Sequence, residues 1–241
     1  PVAVVGQRPV THADADEVLA VVARGDYAAP VPPAPDDAAA RAAGAYAQLR
    51  ALVEGRIDAA HVLAELDAAG LRGLGGAGFP TGRKWRIVAQ QPGPRLMVVN
   101  ADEGEPGTFK DRHYLERDPH RFLEGMLIGA HVTGCDACYL YLRDEYAGLR
   151  VLLERALAAL RADPPCALPE LHLRRGAGAY VCGEESALIE SLEGGRGTPR
   201  LRPPYVAERG LFGRPTLVNN VETLYWVPEI LARGGAWYAA H

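Results

Sequence analysis

The chain has 241 residues, 48% of them apolar, with 26 Lys and Arg against 30 Asp and Glu. That length suits one large domain, or one domain with a small appendage, and a net charge of −4 with dispersed basic residues gives no electrostatic ground for nucleic-acid binding. Residues 1–10 lack the basic and apolar blocks of a signal peptide, and the best apolar stretch, Phe122–Leu142, is interrupted by Glu124, His131 and Asp136, so a cytoplasmic-type protein without membrane insertion is expected.

In chain order, Val2–Val10 and Asp14–Ala23 read as a short strand and an amphipathic helix. The run Pro30-Val31-Pro32-Pro33-Ala34-Pro35 then reads as a stiff, extended linker. It divides the sequence into residues 1–35, too short to fold alone, and residues 36–241. With Pro and not Met in first place, the expectation is a processed chain or a fragment whose first piece ends a missing upstream domain.

Ala38–Leu52 and Ile57–Ala69 read as helices, the second with Val62, Leu63 and Leu66 at helical spacing and Gly70 as its stop. A glycine-dense loop follows to Gly82, then a strand over Arg95–Asn100 and an acidic loop from Asp102 to Asp111. Helices are expected over His120–Thr133 and Glu145–Arg161, and strands over Ala137–Leu142 and Leu171–Leu173. A second glycine-rich turn, Gly176–Gly183, opens a helix from Glu184 to Leu192. This alternation predicts an α/β fold: a Rossmann-like parallel sheet with helices on both faces and an N-terminal helical extension.

Four blocks carry chemistry. Gly73-Leu74-Gly75-Gly76-Ala77-Gly78 formally matches GxGxxG, but a helix and not a strand precedes it, so the dinucleotide fingerprint fails its context. Five glycines in the nine residues from Gly70 to Gly78 nevertheless let backbone N–H groups approach a phosphate or a flat ring, and Lys84, with Arg83 and Arg86, adds positive charge. Asn100-Ala101-Asp102-Glu103-Gly104-Glu105 follows a predicted buried strand. Its carboxylates suit sugar hydroxyls or a divalent metal, or else form a solvated acidic turn. In the turn ending Tyr180-Val181-Cys182-Gly183-Glu184-Glu185 the two glutamates either serve a ligand site or cap the helix dipole. Asn219-Asn220-Val221-Glu222-Thr223 gathers amides and a hydroxyl before an apolar helix, which by itself is also compatible with a plain N-cap.

The cysteines are Cys135, Cys138, Cys166 and Cys182, too few for a secreted disulfide scaffold. Cys135-Asp136-Ala137-Cys138 is a CxxC without two further ligands at suitable spacing, so structural thiols and no metal are expected.

Together, Gly70–Gly82, Asn100–Arg112, Gly176–Glu185 and Asn219–Thr223 resemble, in order, the signatures of one family. It is the flavin-bearing, NADH-oxidising subunit of respiratory complex I, with the diaphorase subunits of NAD-reducing hydrogenases and the beta subunits of NAD-dependent formate dehydrogenases. The resemblance runs from about Tyr46 to Trp226. It implies that Gly73, Gly75, Gly76, Gly78 and Lys84 bind FMN, with Asn100, Asp102 and Glu103 lining that site. Tyr180, Gly183 and Glu184 would flank the isoalloxazine and ribityl chain, and Asn219, Asn220 and Thr223 the phosphate side. Phe79 would stack on the NADH adenine, and Glu105, Glu185 and Arg202 would meet the nucleotide.

The chain departs from that pattern at Leu74, commonly Arg, at Ile87, where an aromatic helps grip the nucleotide, and at Arg202, usually Lys. The family continues into a ubiquitin-like domain and a helical domain holding a four-cysteine 4Fe-4S cluster, and the sequence stops at His241, before either. Residues 1–35 resemble the end of a thioredoxin-like domain. In the family such a domain precedes this module in formate dehydrogenase beta and hydrogenase diaphorase subunits but not in the typical complex I subunit, so a formate dehydrogenase beta subunit is expected, with complex I and hydrogenase subunits as alternatives. The implied activity is hydride transfer between NAD(H) and FMN, the cofactor carrying the chemistry, with no catalytic acid or base and with iron–sulfur and catalytic subunits as partners. The rivals are a dehydrogenase using NAD directly, which lacks its fingerprint, and a non-catalytic assembly module, against which the intact polar residues argue.

Overall fold

A computed structural model describes residues 1–241. The chain opens with an antiparallel hairpin, β1 (Val2–Val5) and β2 (Arg8–Thr11), where the sequence reads as one strand. Gly6 makes the difference: it turns at φ +66° with the Tyr27 backbone packed too close for a side chain. Helix α1 (Ala15–Arg24) follows, started by the Asp14 carboxylate on the Glu17 N–H at 2.8 Å and stopped by left-handed Gly25. The proline segment is extended but not free. Val31 and Ala34 pack on the main core, and Pro30 sits so close to Gly148 that a Cβ there would meet its carbonyl oxygen at 2.0 Å.

The predicted helix Ala38–Leu52 is two helices, α2 (Asp37–Ala42) and α3 (Ala47–Val53). The break comes from a distant residue. Glu124 accepts the N–H groups of Tyr46, Gln48 and Leu49 at 2.8–3.1 Å, and Tyr46, at φ +65°, bonds His120 through its hydroxyl. These contacts overrule an alanine-rich sequence that locally favours continuing the helix. Helix α4 (Ala59–Ala68) ends at left-handed Gly70, as its sequence indicates. Helix α5 (Thr81–Ala89), which is not among the elements expected from the sequence, leads from the glycine loop into strand β3 (Arg95–Ala101).

Beyond β3, α6 (Lys110–Arg117) and α7 (Pro119–Thr133) lead to β4 (Cys135–Leu142), and α8 (Ala147–Ala162) to β5 (Glu170–Arg175). Then come α9 (Glu185–Leu192), β6 (Thr216–Asn220), α10 (Val221–Arg233) and α11 (Gly235–Ala239). The four later strands form one parallel sheet in the order β5-β4-β3-β6. Alternation along β3 serves both faces. Met97, Val99 and Ala101 join the larger core with residues of α7 and α10, while Leu96 and Val98 join a smaller one with Leu188 and Ile189 of α9. Helix α7 is central and buried almost all round. Its Gly125 lies against the Leu224 carbonyl of α10, and its Gly129 against Trp85 and Met97.

The strand order positions the site. After β3 the chain steps to β4 and β5 on one side, then crosses to lay β6 on the other. Ligands of open parallel sheets collect where such steps diverge, at the carboxyl ends of the strands. Here that place is the β3–β6 seam, whose last register pair is Asn100 and Asn220.

Candidate functional site

A cavity of about 660 Å³ opens at this seam. Asn100 comes from β3, Asn219 and Asn220 from β6, the glycines from the first loop, Lys84 from α5, and Glu184 and Glu185 from the start of α9.

The glycine loop closes on itself through the Arg72–Pro80 bridge, with the Gly73 N–H on the Phe79 carbonyl and the Thr81 N–H on that of Leu71, each at 2.9 Å. Thr223, wholly buried in α10, anchors it by accepting the Leu74 N–H at 2.9 Å. At Gly75 a Cβ would stand 3.1 Å from Asn220 Cβ, so loop and strand end meet at van der Waals distance. The backbone N–H groups of Gly75, Gly76, Ala77 and Gly78 make no hydrogen bond within the chain. They are unspent donors, the property that suits such a loop to an anionic or flat ligand.

Lys84 reaches β6, where its ammonium donates to the Val218 carbonyl at 3.1 Å. Desolvation lowers its pKa, attraction to Glu185 opposes this, and Arg202 adds to the lowering. A cation with one protein acceptor, in a wall that already disfavours its charge, is well placed to gain from an anionic ligand.

Other side chains hold the wall. Trp85 Nε1 donates to Asn219 Oδ1 at 3.0 Å. Asn220 caps α10 by accepting the Glu222 N–H at 3.1 Å and donates to buried Asp111 at 2.7 Å. Lys110 pairs with both Asp111 and Glu222. Asn100 donates to the Gly183 carbonyl at 2.8 Å and accepts the Asp102 N–H at 3.1 Å, tying β3 to the second glycine turn. The Glu184 carboxylate caps α9 on the N–H groups of Ser186 and Ala187, while its other oxygen holds Arg202. Burial raises its pKa, but these hydrogen bonds and Arg202 outweigh that and hold it below the ordinary value. Arg202 also pairs with Glu185 at 3.1 Å.

The expected site residues divide accordingly. Gly73, Gly75, Gly78, Phe79 and Lys84 line the cavity, as do Asn100, Gly183, Glu184, Glu185, Arg202, Asn219 and Asn220. Gly76 belongs to the same loop without lining it, and Thr223 acts from behind. Asp102 sits behind the second glycine turn, its carboxyl oxygens 3.0 and 3.9 Å from where Cβ atoms of Gly176 and Gly183 would be. Glu103 is directed to α6, accepting the N–H groups of Asp111 and Arg112 and the Tyr146 hydroxyl. Glu105 and Tyr180 lie exposed outside the lining.

Sequence reasoning missed Thr81, Tyr205, Glu208, Thr216 and Val218, all of which line the cavity. A signal for Thr81 existed: Thr81, Trp85 and Val88 are spaced as a buried helical face, and all three are buried. The CxxC cysteines are buried in β4, and desolvation pushes the Cys135 thiol up to about 11 and that of Cys138 well above its usual value. Such thiols stay protonated.

Residues 66–229 match the family described as the Nuo51 FMN-binding domain. The chain belongs to that family. A subunit of the NADH-quinone oxidoreductase of Aquifex aeolicus is 50% identical over 181 residues, 72% of this chain and 42% of that protein. An NADH-quinone oxidoreductase subunit of Rhizobium meliloti is 46% identical over 206 residues, 82% of this chain and 49% of that protein. An NAD+-reducing [NiFe]-hydrogenase in its H2-reduced state has a chain that superposes with a TM-score of 0.82 at 40% identity, covering 98% of this chain and 44% of that one. The chain thus spans less than half the length of each of these relatives. Within the Nuo51 FMN-binding family frame, the unspent loop N–H groups, the Lys84 ammonium and the open space at Gly78, where a Cβ would meet nothing within 4 Å, fit a flavin mononucleotide: backbone donors, a cation for its phosphate, and room for a ring. No helix is long and apolar enough to cross a membrane.

Proposed function

We propose that this chain is the FMN- and NADH-binding part of an NADH:acceptor oxidoreductase that delivers electrons to iron–sulfur centres of a multisubunit complex. The observation that carries the reading is the union of the four polar blocks around one cavity at the switch point of the sheet. Lys84 and the free loop N–H groups would hold the flavin. Phe79, with Arg83 stacked 5.6 Å from its ring centre, Glu185 and Arg202 would meet the dinucleotide. Bound there, FMN would supply hydride acceptance from nicotinamide and one-electron release. The protein's part is to bind, orient and exclude water, and no side chain is assigned a proton in the hydride step.

For the parent complex we propose an NAD-dependent formate dehydrogenase, in which this chain belongs to the beta subunit. The hairpin and α1 ahead of the flavin module support a formate dehydrogenase or hydrogenase parent over complex I. A hydrogenase diaphorase subunit is the second reading, favoured by the hydrogenase superposition extending over 98% of the chain. Oxidised full-length complex should show a flavin absorption band that NADH bleaches, and denaturation should release FMN. Recovery of FAD, or no flavin, would refute the assignment. Bleaching by formate or by H2 in place of NADH then separates the two parents.

A further inference from the structure

Helix α5 presents Thr81, Lys84 and Ile87 to the cavity as one stripe, since residues three apart on a helix are neighbours on its surface. Thr81 is the first residue of α5 and 1% exposed. Its backbone N–H is spent on Leu71, but its hydroxyl oxygen is buried without any hydrogen-bond partner.

The other buried side-chain oxygens of the cavity wall are matched. Thr216 Oγ1 donates to the Arg214 carbonyl and accepts the Leu211 N–H, and Asn219 Oδ1 accepts from Trp85. Two further buried polar atoms elsewhere lack a hydrogen bond, Asp37 Oδ1 and Arg121 Nη2, but each belongs to a group with an ionic partner: Asp37 pairs with Arg41 at 2.6 Å, and Arg121 Nη2 lies 2.9 Å from Glu229. Thr81 has nothing. Burying an unpaired hydroxyl is unfavourable, and valine would fill the same space without that penalty.

What surrounds this hydroxyl selects its ligand. The free N–H groups of Gly82 and Arg83 in the first helical turn and the positive end of the helix dipole favour an anion, and Lys84 follows at i+3 with hydrogens left beyond the one given to Val218. We propose that the Thr81 hydroxyl is a phosphate ligand, donating to a phosphate oxygen whose charge Lys84 and the α5 N-terminus offset. The oxygen comes from the phosphate ester of the flavin or the diphosphate of the dinucleotide. The inference rests on the FMN and NADH reading and adds a donor to it.

The test compares flavin-free full protein, wild type with Thr81→Val and Thr81→Ser, titrated with FMN, riboflavin and ADP-ribose by fluorescence and calorimetry. Thr81→Val should weaken FMN by about tenfold or more while riboflavin binding holds, if the flavin ester is the partner. If the diphosphate is the partner, it should weaken ADP-ribose by a similar factor and leave both flavins alone. Thr81→Ser should bind like wild type, and flavin-free Thr81→Val should melt no lower than wild type. Unchanged affinity for both FMN and ADP-ribose, riboflavin lost in step with FMN, or a lower melting temperature would overturn the inference and leave the site reading standing. A wild-type protein that binds neither FMN nor ADP-ribose would overturn both.

Discussion

The indole N–H of Trp85 donates to Asn219 Oδ1 at 3.0 Å, and with Trp85 wholly buried and Asn219 3% exposed this bond joins α5 to the end of β6 out of reach of water. The helix that carries Lys84 is thereby fixed against the strand whose amides form the cavity floor. Trp85→Phe keeps an aromatic ring but leaves the Asn219 oxygen unpaired and a void beside Gly129. It should cost about 2–4 kcal/mol in urea unfolding. A loss below about 0.5 kcal/mol would show that the bond does not hold the two elements together.

Lys84 is expected to trade stability for affinity. Desolvation lowers its pKa, so between that value and the ordinary 10.5 the unfolded chain binds more protons and stability rises with pH. Below that window the cost of burying the charge is carried in full. Lys84→Met should therefore leave flavin-free protein at neutral pH at least as stable as wild type, while weakening FMN by about tenfold or more. Thermal melts with and without FMN check both halves, and unchanged flavin retention on dilution would count against the role.

Asp102 should give the flavin-free protein an acid-side dependence. It is 2% exposed, and burial pushes its carboxyl up to about 7, the Arg143 guanidinium pulling down and Glu145 pushing up. A carboxyl whose folded pKa exceeds its unfolded one contributes stability that is complete below about pH 4 and is lost as pH rises through about 7. Asp102→Asn should match wild type near pH 4 and exceed it near pH 8 by a few kcal/mol at most. Parallel stability curves for the two proteins would show that the carboxyl is ionised throughout.

Much of this was legible in the sequence where local pattern and tertiary role agree. The apolar runs of β3 and β4 and the long apolar face of α8 lie close to where periodicity puts them. Strand β6 was hidden because Thr216, Asn219 and Asn220 make three of its five residues polar, their side chains serving the wall and the α10 cap. Helix α5 was hidden because Arg83, Lys84 and Arg86 read as loop cations, although Trp85 and Val88 form its buried side. The break at Tyr46 depends on Glu124, 78 residues away, and no local pattern contains it. For the site, the glycines and asparagines were found through the family signatures, whereas Asp111, which accepts from Asn220 and Lys110, was read only as the end of an acidic loop.

The last prediction concerns Arg202, whose guanidinium joins Glu184 and Glu185 at the mouth of the cavity. Glu184 is already satisfied by the first turn of α9, so losing the arginine leaves its cap in place and the flavin side little changed. Glu185 has no such second anchor among its contacts. Without Arg202 it is free to move, and the site facing a dinucleotide becomes one unit more negative. Arg202→Gln should therefore raise KM for NADH by about tenfold, consistent with a charge-assisted contact, and leave flavin content and absorption normal. Arg202→Lys should recover only part of the loss, because an ammonium cannot hold two carboxylates with the planar fork of a guanidinium. The two measurements are flavin stoichiometry after gel filtration and initial rates with a dye acceptor. Loss of FMN at unchanged KM would place Arg202 on the flavin side of the cavity.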